Sequence, residues 1–115
     1  MKFISIPHHA EKYRQGQLRQ AIRPMLDPPE LGEFIALTDT KSRRGKPITL
    51  MTTTAKIVIA CRIRPTGEIH VNGQPLNTRQ ALSMAYSEGF DSFDEFHAAM
   101  RKRYGSHEEF TLVRW

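Results

Sequence analysis

A short polar segment, residues 14–24, holds the side chains best suited to bind an anion. Within eleven residues it has three arginines and three glutamines around Gly16. Guanidinium groups bind phosphate or carboxylate through paired hydrogen bonds, and glutamine amides can both donate to and accept from a base or sugar. The alternative is a solvated basic loop. We expect the ligand contacts to come from Gln17, Arg19, Gln20 and Arg23.

The elements on either side of this segment should hold it as a loop. The residues from 7 to 13 read as a short helix, and Gly16 stands where a left-handed glycine would end it. Ile22 begins an extended run, which Pro24 ends. Loops held between regular elements often carry binding or catalytic residues, so the sequence places a candidate site here.

The same residues resemble a known family, the ASCH domains of the PUA-like superfamily of small β-barrels. Gly16 followed seven residues later by Arg23 is similar to the family motif Gly-x-Lys-x-x-Glu-x-Arg. Further segments are similar, in the same order, to the family's strand entry, its helical segment and its closing strand: residues 31–37, 85–90, 92–96 with Tyr104, and 110–115. The resemblance implies an α+β fold, a PUA-like small β-barrel with flanking helices, and binding of RNA or a nucleotide.

The chain departs from the family at the positions that carry chemistry. Leu18 stands where the motif has lysine, and Ala21 where it has glutamate or, in the family's acetylcytidine amidohydrolases, threonine. Those enzymes are understood to use the lysine and threonine with a downstream glutamate, for which Glu88 is the candidate here. The resemblance therefore indicates a binding protein more than an enzyme, with Glu88 as the one candidate catalytic residue.

Glu88 is unusual for its place in the sequence. It falls at the end of a predicted helix, where the helix dipole disfavours a carboxylate. A solvated helix-end residue is one interpretation. The other is that Glu88 accepts a hydrogen bond from a ligand amine or pairs with Arg19 or Arg23.

A second basic stretch lies between residues 41 and 46, where four cations occur in six residues. It reads either as a surface loop or as a basic flap that closes on a phosphate backbone. In the second case it would add non-specific attraction for RNA. Its predicted contacts are Lys41, Arg43, Arg44 and Lys46.

Length and composition limit the domain number, the cellular location and the kinds of ligand that we expect. A chain of 115 residues fits a single domain, 1–115, and its net charge of +5 favours an anionic partner. No apolar run is long enough to span a membrane, and the lone Cys61 fits a reducing cytoplasm. The five histidines show no ligand spacing, so we expect neither a metal nor another cofactor. Cys61 should pack as a small hydrophobe.

Hydrophobic periodicity and turn residues outline the other elements. Strands are predicted at 2–6, 34–37, 68–71 and 109–115, with one long β segment over 48–64. Asn72-Gly73 predicts a tight hairpin. Capping-box patterns begin helices at Asn77 and Ser92. The first helix should bury Leu82, Ala85 and Tyr86, and the second Phe93, Phe96, Met100 and Tyr104.

Three functions remain open at this point. The first is an RNA- or nucleotide-binding domain with a cleft between the 16–23 loop, the 39–47 loop and the start of the 77–88 helix. The second is a hydrolase that acts on modified nucleosides or cleaves RNA. The third is a protein-interaction module, for which exposed Met25, Leu26 and Leu31 would be the feature to find.

Overall fold

Three helices and eight strands make up the part of the chain that the computed structural model describes, residues 1–6, 8–39 and 48–115. This confirms the predicted α+β class. The strands are β1 (Lys2–Ile6), β2 (Gln20–Arg23), β3 (Phe34–Asp39), β4 (Ile48–Thr54), β5 (Ile57–Ile63), β6 (Ile69–Val71), β7 (Gln74–Pro75) and β8 (Glu109–Arg114). The helices are α1 (Ala10–Arg14), α2 (Thr78–Ser87) and α3 (Phe93–Tyr104).

The strands form two sheets. The three-stranded sheet has the order β1-β3-β4, with β1 parallel and β4 antiparallel to β3. The five-stranded sheet is antiparallel, with the order β2-β8-β5-β6-β7. Among the described residues, no hydrogen-bonded ladder joins the two sheets into a closed barrel. The α+β class is therefore confirmed, and the PUA-like barrel stays a prediction.

Two hydrophobic cores lie on opposite faces of the five-stranded sheet. The inter-sheet core combines residues of both sheets with Tyr13 of α1 and Trp115, whose rings lie 5.9 Å apart. The helix-side core packs α2 and α3 against the other face, and its central side chain is the fully buried Phe96. Burying one such side chain stabilises the fold by about 1.5–3 kcal/mol. The five-stranded sheet is thus fixed from both faces.

The segment 48–64, predicted as one long β segment, is in fact two strands in different sheets. The chain turns at Ala55, a small buried residue whose N–H donates to Glu33 and whose carbonyl accepts from Gly32. Lys56 then donates to the carbonyl of Arg114 and begins pairing with β8. The polar–apolar pattern alone could not show this change of partner, since both strands are extended.

Side chains along β5 alternate between the two faces of the sheet. Ile57, Cys61 and Ile63 belong to the helix-side core, whereas Val58 packs against the inter-sheet core. The buried Cys61 packs as a small hydrophobe, and burial raises the pKa of its thiol to about 12, with the nearby Glu88 carboxylate adding to the effect.

Local signals also predicted the turns and helix starts. Asn77 and Gln80 form the full reciprocal capping box at α2, and the Ser92 hydroxyl accepts from the Glu95 N–H at α3. Asn72 and Gly73 both have positive φ, as a tight hairpin turn requires. In α3, Phe96 and Met100 are buried as predicted, and Phe93 and Tyr104 pack against the same core.

Two boundaries and one burial prediction need correction. The helix predicted from residue 7 begins at Ala10, and Pro7 lies outside the described residues. The β2 strand begins at Gln20 instead of Ile22, because pairing with β8 extends it. In α2, Met84 is buried together with Ala85, whereas Tyr86 is exposed. None of the described helices is long and apolar enough to cross a membrane.

Candidate functional site

The predicted 16–23 loop includes strand β2, and it supplies side chains to the protein interior and to the surface. Gly16 has the expected positive φ of 76° and follows the end of α1. Leu18 and Ala21, at the positions of the family's lysine and threonine, are both buried in the inter-sheet core. An apolar buried side chain can neither activate a nucleophile nor contact a charged ligand. These two positions therefore act as packing residues here.

The free edge of β2 is closed by side chains, an arrangement that we call the seam. The Tyr13 hydroxyl donates to the carbonyl of Gln20 at 2.6 Å, and the N–H of Ile22 donates to Glu88 Oε1 at 3.2 Å. Arg23 Nη1 donates to the carbonyl of Ile22 at 2.6 Å, while its Nε donates to the carbonyl of Ser5 on β1 at 2.8 Å. Because β2 is the end strand of its sheet, these bonds satisfy backbone groups that a neighbouring strand would otherwise pair.

Glu88 is the buried acid of the seam and not a solvated helix end, with only 4% of its surface exposed. Its carboxylate accepts from Gln20 Nε2 at 3.2 Å, and Arg23 Nη1 lies 3.7 Å away. Burial raises the pKa of Glu88 to about 7, although Arg23, Gln20 and the Ile22 N–H each act to lower it. Of the two arginines considered from sequence, Arg23 is the one that pairs with Glu88.

The cavity beside Glu88 is too small for a nucleoside. It measures about 20 Å³ and is lined by Glu88, Arg23, Tyr13, Phe90 and Tyr104, among others. A volume of this size holds about one water molecule. In this arrangement the Glu88 carboxylate is not open to a substrate. Its hydrogen bonds to β2 give it a structural role.

A larger concave surface, which we call the groove, runs between α2 and the start of β2. It consists of two adjoining cavities of about 310 and 350 Å³ that share Gln20, Ser83, Ser87 and Arg114. Arg19 and Gln17 line its second part, and Gln80 lies one helical turn before Ser83 and two turns before Ser87. None of the described residues that line it is acidic. The groove therefore presents two guanidinium groups, hydroxyls and amides to solvent.

Gln20 connects the groove to the seam. Its Nε2 donates to Glu88, and its Oε1 accepts from Arg114 Nη2 at 2.5 Å. The backbone places the two residues side by side, because Gln20 and Arg114 are direct partners in the β2–β8 ladder. The Gln20 side chain is itself only 2% exposed, so it orients Arg114 more than it offers contacts to a ligand.

The predicted site residues therefore divide into three sets. Gln17, Arg19 and Gln20 line the groove. Arg23 and Glu88 lie in the seam, so this arrangement gives no support to the predicted contact of Arg23 with phosphate. Lys41, Arg43, Arg44 and Lys46 lie outside the described residues, as does most of the predicted 39–47 wall of the cleft.

Sequence reasoning missed Arg114, Ser83 and Ser87. The signal available for the two serines was their spacing of four residues, which puts them on one face of a helix. Nothing in the sequence, however, indicated that Arg114 and Gln20, which are 94 residues apart, would be strand partners. That contact depends on the tertiary pairing of β2 with β8.

Another concavity lies on the face of the five-stranded sheet opposite the helices. It has a volume of about 480 Å³ and includes Arg62, Arg64 and His70. Glu109 is the cross-strand partner of Arg62, and Glu108 lies 3.9 Å from the Arg62 guanidinium. Because carboxylates accompany its cations, this surface attracts an anion less well than the groove does.

Two further features bear on the open hypotheses. In the described part of the chain, no three His, Cys, Asp or Glu side chains are grouped so that they could hold a metal ion. Leu26 and Leu31 are well exposed, as the interaction hypothesis requires, and Phe3 and Phe34 are exposed on the three-stranded sheet. Met25 is partly buried against the inter-sheet core.

No family profile, curated protein or solved structure that we compared with the chain matches it.

Proposed function

We propose that the protein binds RNA or a nucleotide in the groove, with Arg19 and Arg114 as the phosphate contacts. The observation that carries the proposal is the pair of exposed guanidinium groups in a concave surface without a carboxylate among its described lining residues. Gln17 and the hydroxyls of Ser83 and Ser87 supply donors and acceptors for a sugar or base. Tyr86, which is 55% exposed, offers a ring on which a base can stack.

We also propose that the chain is related to the ASCH domains. In this proposal, side-chain contacts close the two sheets into a PUA-like barrel. Ala55 carries the chain directly from the three-stranded into the five-stranded sheet, which gives the strand path β1-β3-β4-β5-β8-β2. Between β2 and β1, the Arg23 side chain bonds to the carbonyl of Ser5 across the remaining gap. We propose a cytoplasmic location, because the sequence has a single cysteine and so cannot form an internal disulfide.

We propose binding without turnover. A general acid or base must lie within reach of the group whose proton it transfers. Leu18 and Ala21 are apolar and buried, and Glu88 faces a cavity of about 20 Å³. A hydrolase that acts on modified nucleosides or RNA would need a different arrangement of these residues. Release of acetate from acetylcytidine, abolished by Glu88→Gln, would restore the enzyme hypothesis.

The test measures the affinity for a fluorescent single-stranded RNA as a function of salt concentration. Each phosphate contact contributes about 0.7 to the slope of log affinity against log salt. The double variant Arg19→Ala/Arg114→Ala should therefore bind more weakly, with a slope reduced by about 1.4. The double variant Arg62→Ala/Arg64→Ala removes the same charge from the other concavity and should bind like the wild type.

Two results would overturn the proposal. One is the absence of RNA binding at low salt. The other is an equal loss of affinity in both double variants, which would show that net charge and not the groove determines binding. Thermal unfolding of each variant confirms that the comparison is made between folded proteins.

A second function, a protein-interaction module, is favoured by the exposed Leu26 and Leu31. The double variant Leu26→Ser/Leu31→Ser should abolish capture of a protein partner that survives nuclease treatment, and it should leave RNA affinity unchanged. If RNA affinity fell as well, the two surfaces would not be independent.

A further inference from the structure

We propose that Glu88 and Gln20 are positioning residues for Arg114, so that a proton on Glu88 raises the affinity of the groove for phosphodiesters. This inference rests on the proposed function of the groove. It concerns how the site is regulated, and it assigns no catalytic role to Glu88.

The structural basis is a continuous chain of hydrogen bonds from a buried acid to a surface cation. Glu88 Oε2 accepts from Gln20 Nε2 at 3.2 Å, and Gln20 Oε1 accepts from Arg114 Nη2 at 2.5 Å. Glu88 and Gln20 are both almost fully buried, whereas Arg114 is exposed in the groove. Water therefore cannot readily replace either buried partner.

The ionised form of Glu88 fixes the orientation of the amide. A carboxylate only accepts hydrogen bonds, so the NH₂ group of Gln20 must face it. The amide oxygen of Gln20 then faces Arg114 and holds its guanidinium against β2. In this state one of the two cations of the groove is partly engaged by the protein itself.

Protonation removes this constraint on the amide. A neutral carboxyl has an O–H that can donate to the Gln20 oxygen once the amide turns over. The NH₂ group then faces the Arg114 guanidinium, which is also a donor, and the bond between them is lost. Arg114 becomes available to a phosphate, and the negative charge behind the groove is removed.

Glu88 gains and loses its proton near neutral pH, because burial raises its pKa to about 7. The titratable or charged groups that face Glu88 or share its small cavity are Tyr13, Arg23, Cys61, Arg103, Tyr104, Arg114 and His8. His9 lies close by, against Gly89 and Phe90, which follow Glu88 in the chain. Burial raises the pKa of both Tyr13 and Cys61 well above neutrality. Of these neighbours, histidine is the residue type that changes charge between about pH 5 and 8, so His8 and His9 each need a control.

The experiment measures the affinity of an oligouridylate RNA at constant salt from about pH 5.5 to pH 8.5, a range in which its phosphodiesters do not titrate. Wild-type affinity should fall about fivefold as the pH rises, within the usual size of a coupling between sites. Glu88→Gln should bind with the wild-type low-pH affinity at every pH. Gln20→Leu should also lose the pH dependence, and the control variants His8→Asn and His9→Asn should each retain it.

A Glu88→Gln variant that keeps the wild-type pH profile would overturn the inference. A second measurement applies to the unligated wild type, in case the variants do not fold or RNA does not bind. The side-chain NMR signals of the Gln20 NH₂ and the Arg114 Nε–H should titrate with one common midpoint near neutrality. Two signals that do not titrate would also overturn it. Absence of RNA binding together with a common midpoint would refute the proposed function and leave the link between Glu88 and Arg114 intact.

Discussion

Arg19 and Arg23 are four residues apart in one segment, and the fold gives them opposite environments. Arg19 is exposed in the groove, where its guanidinium faces solvent. Arg23 is largely buried in the seam, where it bonds to the carbonyls of Ser5 and Ile22 and lies beside Glu88. The same type of side chain thus has two environments: Arg19 is open to solvent, and Arg23 satisfies the edge of a sheet.

The difference follows from what each site offers a cation. In the seam, the carboxylate and two carbonyls replace the water that Arg23 gives up, as a buried charge requires. In the groove, no described lining residue is acidic, so the charge of Arg19 is left for a partner from solution. An arginine in a ligand-binding motif can therefore be assigned as a ligand contact only after its partners within the fold are known.

The largest effect is expected from breaking the seam. Arg23→Ala should destabilise the fold by about 3–5 kcal/mol at pH 8, because it leaves the buried Glu88 carboxylate without its cation. The loss should be smaller at pH 5.5, where Glu88 takes up a proton. Arg19→Ala should change stability by about 0.5 kcal/mol or less. Urea unfolding measures both, and equal losses in the two variants would contradict the contrast between seam and groove.

A smaller effect should come from the charge of Glu88 itself. An unfolded glutamate ionises near its ordinary pKa of 4.5, whereas the folded protein keeps the proton until about pH 7. Between these values the unfolded state releases a proton that the folded state retains. The contribution of Glu88 is therefore fully present below pH 4.5 and is lost as the pH rises to 7, by about 2–3 kcal/mol.

The comparison between wild type and Glu88→Gln isolates this contribution, because the histidines are common to both proteins. The free energy of unfolding of the wild type, relative to the variant, should fall between pH 4.5 and 7 and stay constant above. A difference that does not change with pH would show that Glu88 remains ionised across the range.

The smallest effect concerns one hydrogen bond of the seam. Tyr13→Phe removes the donor to the Gln20 carbonyl and should cost about 1–2 kcal/mol of stability, because a buried acceptor is left unsatisfied. Tyr86→Phe, at an exposed position beside the groove, is the matched control and should leave stability unchanged. If both variants were equally stable, the Gln20 carbonyl would have another partner.

Local features of this protein could be predicted from sequence, and contacts between distant segments could not. The capping box at Asn77, the hairpin at Asn72-Gly73 and the glycine end of α1 depend on a few adjacent residues, and all three are confirmed. The bond between Ile22 and Glu88 joins residues 66 positions apart, and no short pattern encodes it. Gln17, Arg19 and Gln20 line a concave surface, and their contact with a ligand stays a prediction.

The burial of Arg23 and Glu88 is the main point that the sequence did not reveal. Each is a charged residue next to a predicted boundary, Pro24 in one case and Gly89 in the other, where exposure is the usual outcome. They are buried because each neutralises the other and because β2 is an edge strand with unpaired backbone groups. Neither fact is visible before the two sheets and the helices are assembled.

The most direct test of the groove as the binding surface is arginine side-chain NMR during an RNA titration. At pH 5.5, where Glu88 holds its proton with or without a ligand, adding a short single-stranded RNA should shift the Nε–H signals of Arg19 and Arg114 and leave that of Arg23 in place. Signals that shift at Arg62 and Arg64 while Arg19 and Arg114 stay unchanged would contradict the account, because the ligand would then occupy the opposite face of the sheet.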